Sequence, residues 1–116
     1  MTATRIETLK NRPDFLACAR AGRAGAPAFL LQARNRRDDD AVTRVGFTCS
    51  KKVGNAVARN RAKRRLRALA RDILPDHAQP GWDYVLIGRA GATATRDYMD
   101  LKADLIRVLS KVHAPK

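Results

Sequence analysis

The sequence predicts an α+β fold, with helices packed on one small sheet. Three observations carry that prediction. Segments 28–34, 43–50 and 82–88 are apolar or alternating and are bounded by turn-forming residues, the pattern of strands. Segments 54–73 and 96–112 bring apolar residues back at steps of three and four, the pattern of amphipathic helices. A length of 116 residues gives one domain with one core. Twenty of the apolar residues are alanine, so that core is expected to be compact.

Residues 1–12 are polar and basic and read as an N-terminal arm. Pro13 and Asp14 open a short helix, Phe15 to about Ala21, because proline suits a first helical turn. Gly22, Gly25 and Pro27 then break the chain. Ala28–Arg34 is the first strand. Thr43–Ser50 is the second, with Val45, Phe47 and Cys49 alternating with Gly46, Thr48 and Ser50. The polar stretch 35–41 between them reads as a turn joining antiparallel neighbours. Within it, Asp38, Asp39 and Asp40 read as a solvated loop, since three consecutive side chains point in different directions. Asn55 caps a helix that runs to about Ile73 and is stopped by Pro75. Residues 77–81 are a loop, and Trp82–Gly88 is a nearly continuous apolar strand suited to a covered, central position. After a loop at 88–95, where Thr93 or Thr95 can cap, Arg96–Val112 is the last helix. The chain therefore divides into an arm (1–12), one domain (13–112) and a short tail (113–116).

Several classes of function fall away. No run of 18 apolar residues is present, so no membrane-spanning helix is expected. No apolar stretch follows the early basic residues, so a secretory signal is not expected either. Two cysteines, Cys18 and Cys49, are too few for a disulfide scaffold or a four-ligand zinc site. They read as small hydrophobes in a reducing compartment, which points to the cytoplasm.

Charge points to a partner. The chain carries 24 Lys and Arg against 11 Asp and Glu, a net charge of +13. Such an excess repels itself and fits a polyanion. Nine of the cations fall within residues 51–71, where no acid occurs. On a helical projection from Arg59, Lys63, Arg67, Asn60, Arg71 and Arg64 fall between about 40° and about 140°. Ala58, Leu69, Ala62, Ile73 and Leu66 gather between about 260° and about 340°, with Arg61 and Arg65 beside them. Like charges one turn apart destabilise a helix by a few tenths of a kcal/mol per pair, at about 0.2–0.5 each. Lys51 and Lys52 lie near the helix N-terminus, where the macrodipole disfavours cations. Bound phosphates reverse the sign of both effects, and the helix start at Asn55 is itself suited to a phosphate. A DNA-reading helix is one use of such a face, but the clear strands favour RNA.

The block SKKVGNAVARNRAKR, Ser50–Arg64, resembles the signature of the protein component of bacterial ribonuclease P, centred on Arg59-Asn60-Arg61. The Asp14-Phe15 pair, the RVGFTCSKK strand, the DYVLI strand and the final helix follow in that family's order, over roughly residues 9–112.

The resemblance implies a compact α/β sandwich like the second domain of ribosomal protein S5. It has a small central sheet, three helices and a left-handed βαβ crossover, where general rules favour a right-handed one. It implies an RNA-binding subunit that assists a catalytic RNA in removing the 5′ leader from precursor tRNA. Magnesium ions are expected mainly on that RNA, and the isolated protein is expected to be a monomer. RNA-binding positions carried over from the family or its basic neighbourhood are Lys51, Lys52, Asn55, Arg59, Asn60, Arg61, Lys63, Arg64, Arg67 and Arg71. Phe15, Gln32, Thr48 and Ser50 are the expected leader-binding cleft. Ala19 and Gln32 stand where the family commonly carries rings, so polar contacts are expected to replace some stacking.

No side-chain catalyst is expected. His77 and His113 have no evident partner in the sequence, and carboxylates that hold two metals normally converge from separate elements. A ribosomal or assembly protein, a DNA-binding regulator and a protein-only ribonuclease are the competing readings.

Overall fold

The computed structural model describes residues 6–114. Five strands form one mixed sheet: β1 (Ile6–Thr8), β2 (Gly22–Gly25), β3 (Phe29–Asn35), β4 (Thr43–Cys49) and β5 (Trp82–Gly88). Their order is β1-β4-β5-β3-β2. The helices are α1 (Arg12–Ala19), α2 (Ala56–His77), a single turn α3 (Ala92–Thr95) and α4 (Tyr98–His113), with a 3₁₀ turn at Lys51–Val53.

Alternation on β5 sets two layers on opposite faces of the sheet. Tyr84 and Leu86 face α2 and α4 in the main core, with Leu31, Leu66, Leu69, Leu105 and Val108. Val85 and Ile87 face the other way and meet Leu9, Phe15 and Cys18 under α1. β4 and β5 are adjacent and parallel, so α2 is the crossover of a βαβ unit.

The structure corrects several local expectations. β3 and β4 do not form a hairpin: β5 lies between them, antiparallel to β3 and parallel to β4. A polar seven-residue loop does not force its two strands to pair, and β5 has the apolar faces to take the centre. Ile6–Thr8, within the stretch expected to be an arm, pairs in parallel with Thr43–Val45. Residues 1–5 and 115–116 lie outside the described residues. Gly22–Gly25, read as a break, is an edge strand that pairs with Leu30–Ala33 and buries Ala24.

Helix limits shift as well. α1 begins at Arg12, and α2 continues through Pro75 to His77. Burial of Ile73 and Leu74 holds that last turn, and Ala78 N–H closes it on Leu74 O at 2.8 Å. Neither threonine caps α4. Asp97 does, accepting the N–H of Met99 at 2.8 Å. Thr93 instead ties α3 to the sheet, donating to Ala28 O and accepting from Arg89 N–H at 2.8 Å. Asn55 caps α2 as expected, accepting the N–H of Ala58 at 3.0 Å.

Candidate nucleic-acid interface

α2 is fastened along one side. Ala62, Leu66, Leu69, Ala70, Ile73 and Leu74 are buried, against β4, β5 and α4. Asn60, Arg61, Arg64, Arg67 and Arg71 are exposed on the other side, while Arg59 and Lys63 are half-buried at the boundary. Ala70 and Leu74 extend the buried arc beyond the sequence projection, so the open face is centred nearer Arg71 and Arg64 than Lys63. Lys51 and Lys52 are exposed on the 3₁₀ turn, which Ser50 Oγ secures by accepting Lys52 N–H at 3.2 Å. Exposed Asn55 stands between that turn and α2.

Among the described residues, none of these cations is ion-paired with a carboxylate. The paired acids serve other elements. Asp38 takes Arg36, Asp14 takes Arg44, and Asp104 takes Arg96 and, at 3.9 Å, Arg107. Asp38 and Asp40 also accept backbone N–H groups within their own loop, which gives them a turn-building role. The open face of α2 is therefore positive, with no carboxylate paired to it among the described residues.

A groove of about 480 Å³ runs between α1 and the sheet. Phe15, Leu16 and Ala19 wall it, and Gln32, Thr48, Val85 and Ile87 line it from the sheet. The register aligns Gly46, Val85 and Gln32 in one row and Thr48, Ile87 and Leu30 in the next. Three of the four expected cleft residues thus meet here. Ser50 is not among the lining residues and serves the 3₁₀ turn instead. Gly46 makes room for the ring: a Cβ there would lie 2.5 Å from Phe15 Cζ.

Buried charge anchors α1. Asp83 is fully buried and accepts from Arg44 at 2.8 and 2.6 Å and from Arg36 at 2.8 Å. Arg44 also donates to Asp14 on α1 at 3.3 Å. These contacts run from the centre of the sheet to the helix that carries Phe15. Cys18, beneath that helix, has its thiol pushed up to about 12, chiefly by burial and further by Asp83. It stays protonated and acts as core.

The ribonuclease P family model matches residues 4–113. The chain belongs to the ribonuclease P protein family. It is 62% identical over 112 residues to the "Ribonuclease P protein component" of Ruegeria pomeroyi, covering 96% of this chain and 90% of that one. The ribonuclease P protein of Staphylococcus aureus superposes with a TM-score of 0.72 at 26% identity, covering 91% of this chain and 94% of that one. For that of Thermotoga maritima the TM-score is 0.73 at 26% identity, over 90% and 96%.

Two arginines beside the groove escaped the sequence. Arg23 stands opposite Gln32 and shares its face of the sheet. Arg89 Nη2 lies 3.3 Å from the place a Cβ on Gly25 would take, over that same face. Neither arginine belongs to a basic run, and only strand pairing brings them together.

Proposed function

We propose that the chain is the protein subunit of ribonuclease P, assisting a catalytic RNA in endonucleolytic removal of the 5′ leader from precursor tRNA. The observation that carries this reading is the α2 face, a row of guanidinium and ammonium groups without a carboxylate partner among the described residues. Lys51, Lys52, Asn55, Arg59, Asn60, Arg61, Lys63, Arg64, Arg67 and Arg71 bind phosphates of the RNA subunit. Phe15, Gln32 and Thr48 hold the single-stranded leader, with Ser50 acting through the turn it caps.

The mechanism is positioning and neutralisation. Cations on α2 lower the repulsion between two crowded RNAs, so less magnesium is needed to bring them together. The magnesium ions belong to the RNA, because a surface this positive repels divalent cations. Leader contacts add binding free energy for precursor that is absent for mature tRNA, which gives discrimination. No helix among the described residues is long and apolar enough to cross a membrane. The reading places the protein in the cytoplasm, as a monomer before assembly.

Reconstitution tests it. With a ribonuclease P RNA and precursor tRNA at low magnesium, the protein accelerates leader removal, and alone it cleaves nothing. Absence of stimulation, or cleavage without the RNA, overturns the reading.

A further inference from the structure

We propose that a second groove, between β1, β4 and α2, receives one unstacked nucleobase of the RNA subunit. The proposal rests on the ribonuclease P reading above. The groove holds about 450 Å³, and Phe15 and Phe47 separate it from the groove assigned to the leader by lining both. That volume lies within the roughly 300–1,000 Å³ of small-ligand sites.

Its chemistry selects the occupant. Leu9, Val45, Phe47 and Pro75 give apolar walls, Arg67 and Arg71 supply two cations, and no acidic residue lines it. The Arg67 guanidinium stands over the Phe47 ring at 5.9 Å from its centroid, which holds the cation in place before any ligand arrives. Pro75 has no N–H, so the carbonyl of Arg71 loses its helical donor, and both residues line the groove. An apolar slot and two cations without a carboxylate partner among the described residues complement a planar base and its attached phosphate. RNA recognition commonly proceeds this way, with an unpaired base splayed onto aromatic or guanidinium planes. The cations belong to α2, the helix that faces the RNA subunit in this reading, and this sets the source as that RNA and not the leader.

Thr8 offers a test. It lines the groove, is exposed, and stands opposite Val45 in the β1–β4 register, so its side chain shares Val45's face. Thr8→Trp fills the slot with a residue that strands accept. RNA-subunit affinity is measured for the whole chain and for Thr8→Trp across a salt series, with thermal melts of both. The expected result is an affinity loss on the order of tenfold or more, with the salt slope flattened by no more than one phosphate contact, roughly 0.7–0.9. Chemical probing then shows one nucleotide of the RNA subunit whose reactivity changes with the whole chain and reverts with Thr8→Trp.

Equal affinity of the two proteins overturns the proposal. A loss seen only with precursor tRNA, scaling with leader length, overturns the source. A lowered melting temperature with intact affinity overturns it as well, because the slot then serves the fold and not the RNA. If the unsubstituted chain binds no ribonuclease P RNA, the preceding reading fails. If it binds and Thr8→Trp binds equally, only the base slot fails.

Discussion

Gly46 shows how one missing methyl group can shape a site. Its neighbours in the row, Val85 and Gln32, carry side chains, but at Gly46 the Phe15 ring lies against bare β4 backbone. Gly46→Ala pushes the ring outward, because 2.5 Å is far inside contact distance. The ring is the free end of a side chain, so the fold survives at a cost of about 1–3 kcal/mol. The preference for precursor over mature tRNA falls. Competition binding with the two tRNAs checks this, and an unchanged preference removes Phe15 from the leader site. His113 makes a different single-residue case. Its Nε2 lies 2.6 Å from Tyr84 Oη, its ring meets Trp82 edge-on at 4.3 Å, and burial holds its pKa below the usual 6.5. Unfolding returns it to the ordinary value, so the unfolded chain binds more protons there as pH falls. The stability it contributes is full above 6.5 and is lost as pH drops toward the depressed value. The melting temperature therefore declines as pH falls through and below 6.5, and His113→Gln flattens that decline. Parallel profiles for the two proteins refute the assignment.

At the scale of elements, α2 separates folding from binding around its own axis. Leu66 is fully buried and Arg64 is exposed two residues earlier. Leu66→Ala costs about 2–5 kcal/mol in urea unfolding. Arg64→Ala leaves stability within about 0.5 kcal/mol and flattens the log–log salt dependence of RNA binding by roughly 0.7–0.9. If Arg64→Ala destabilises the fold as much as Leu66→Ala, the face is structural. This division was legible in the sequence because a 22-residue helix repeats its pattern six times over. The same holds for α4 and for β3, β4 and β5, whose apolar patterns exceed a turn of noise. β1 and β2 are three and four residues long and exist only through their partners β4 and β3. No local pattern announces an IET or a GRAG as a strand. The groove was legible in Phe15, Gln32 and Thr48, which follow from alternation and resemblance. Arg23 and Arg89 were not, since their positions depend on which strands pair and on a missing Cβ at Gly25.

Across the whole molecule, the excess of 13 positive charges acts in opposite senses before and after binding. In the free protein, cations one helical turn apart lie about 5–6 Å from each other, inside the Debye length of about 10 Å at 0.1 M salt. Added salt screens that repulsion. It screens the attractive pairs much less where they are buried, as at Asp83 with Arg36 and Arg44. The melting temperature of the free protein therefore rises as salt is added. Its affinity for the RNA subunit falls over the same range, because each phosphate contact releases condensed counterions that salt restores. A protein whose charges served its own fold would show the opposite first trend, losing stability as its ion pairs were screened. Thermal melts and binding titrations across one salt series read both signs. A melting temperature that falls with salt, or an affinity indifferent to it, means that the α2 cations are compensated within the chain and are not held open for another molecule's phosphates.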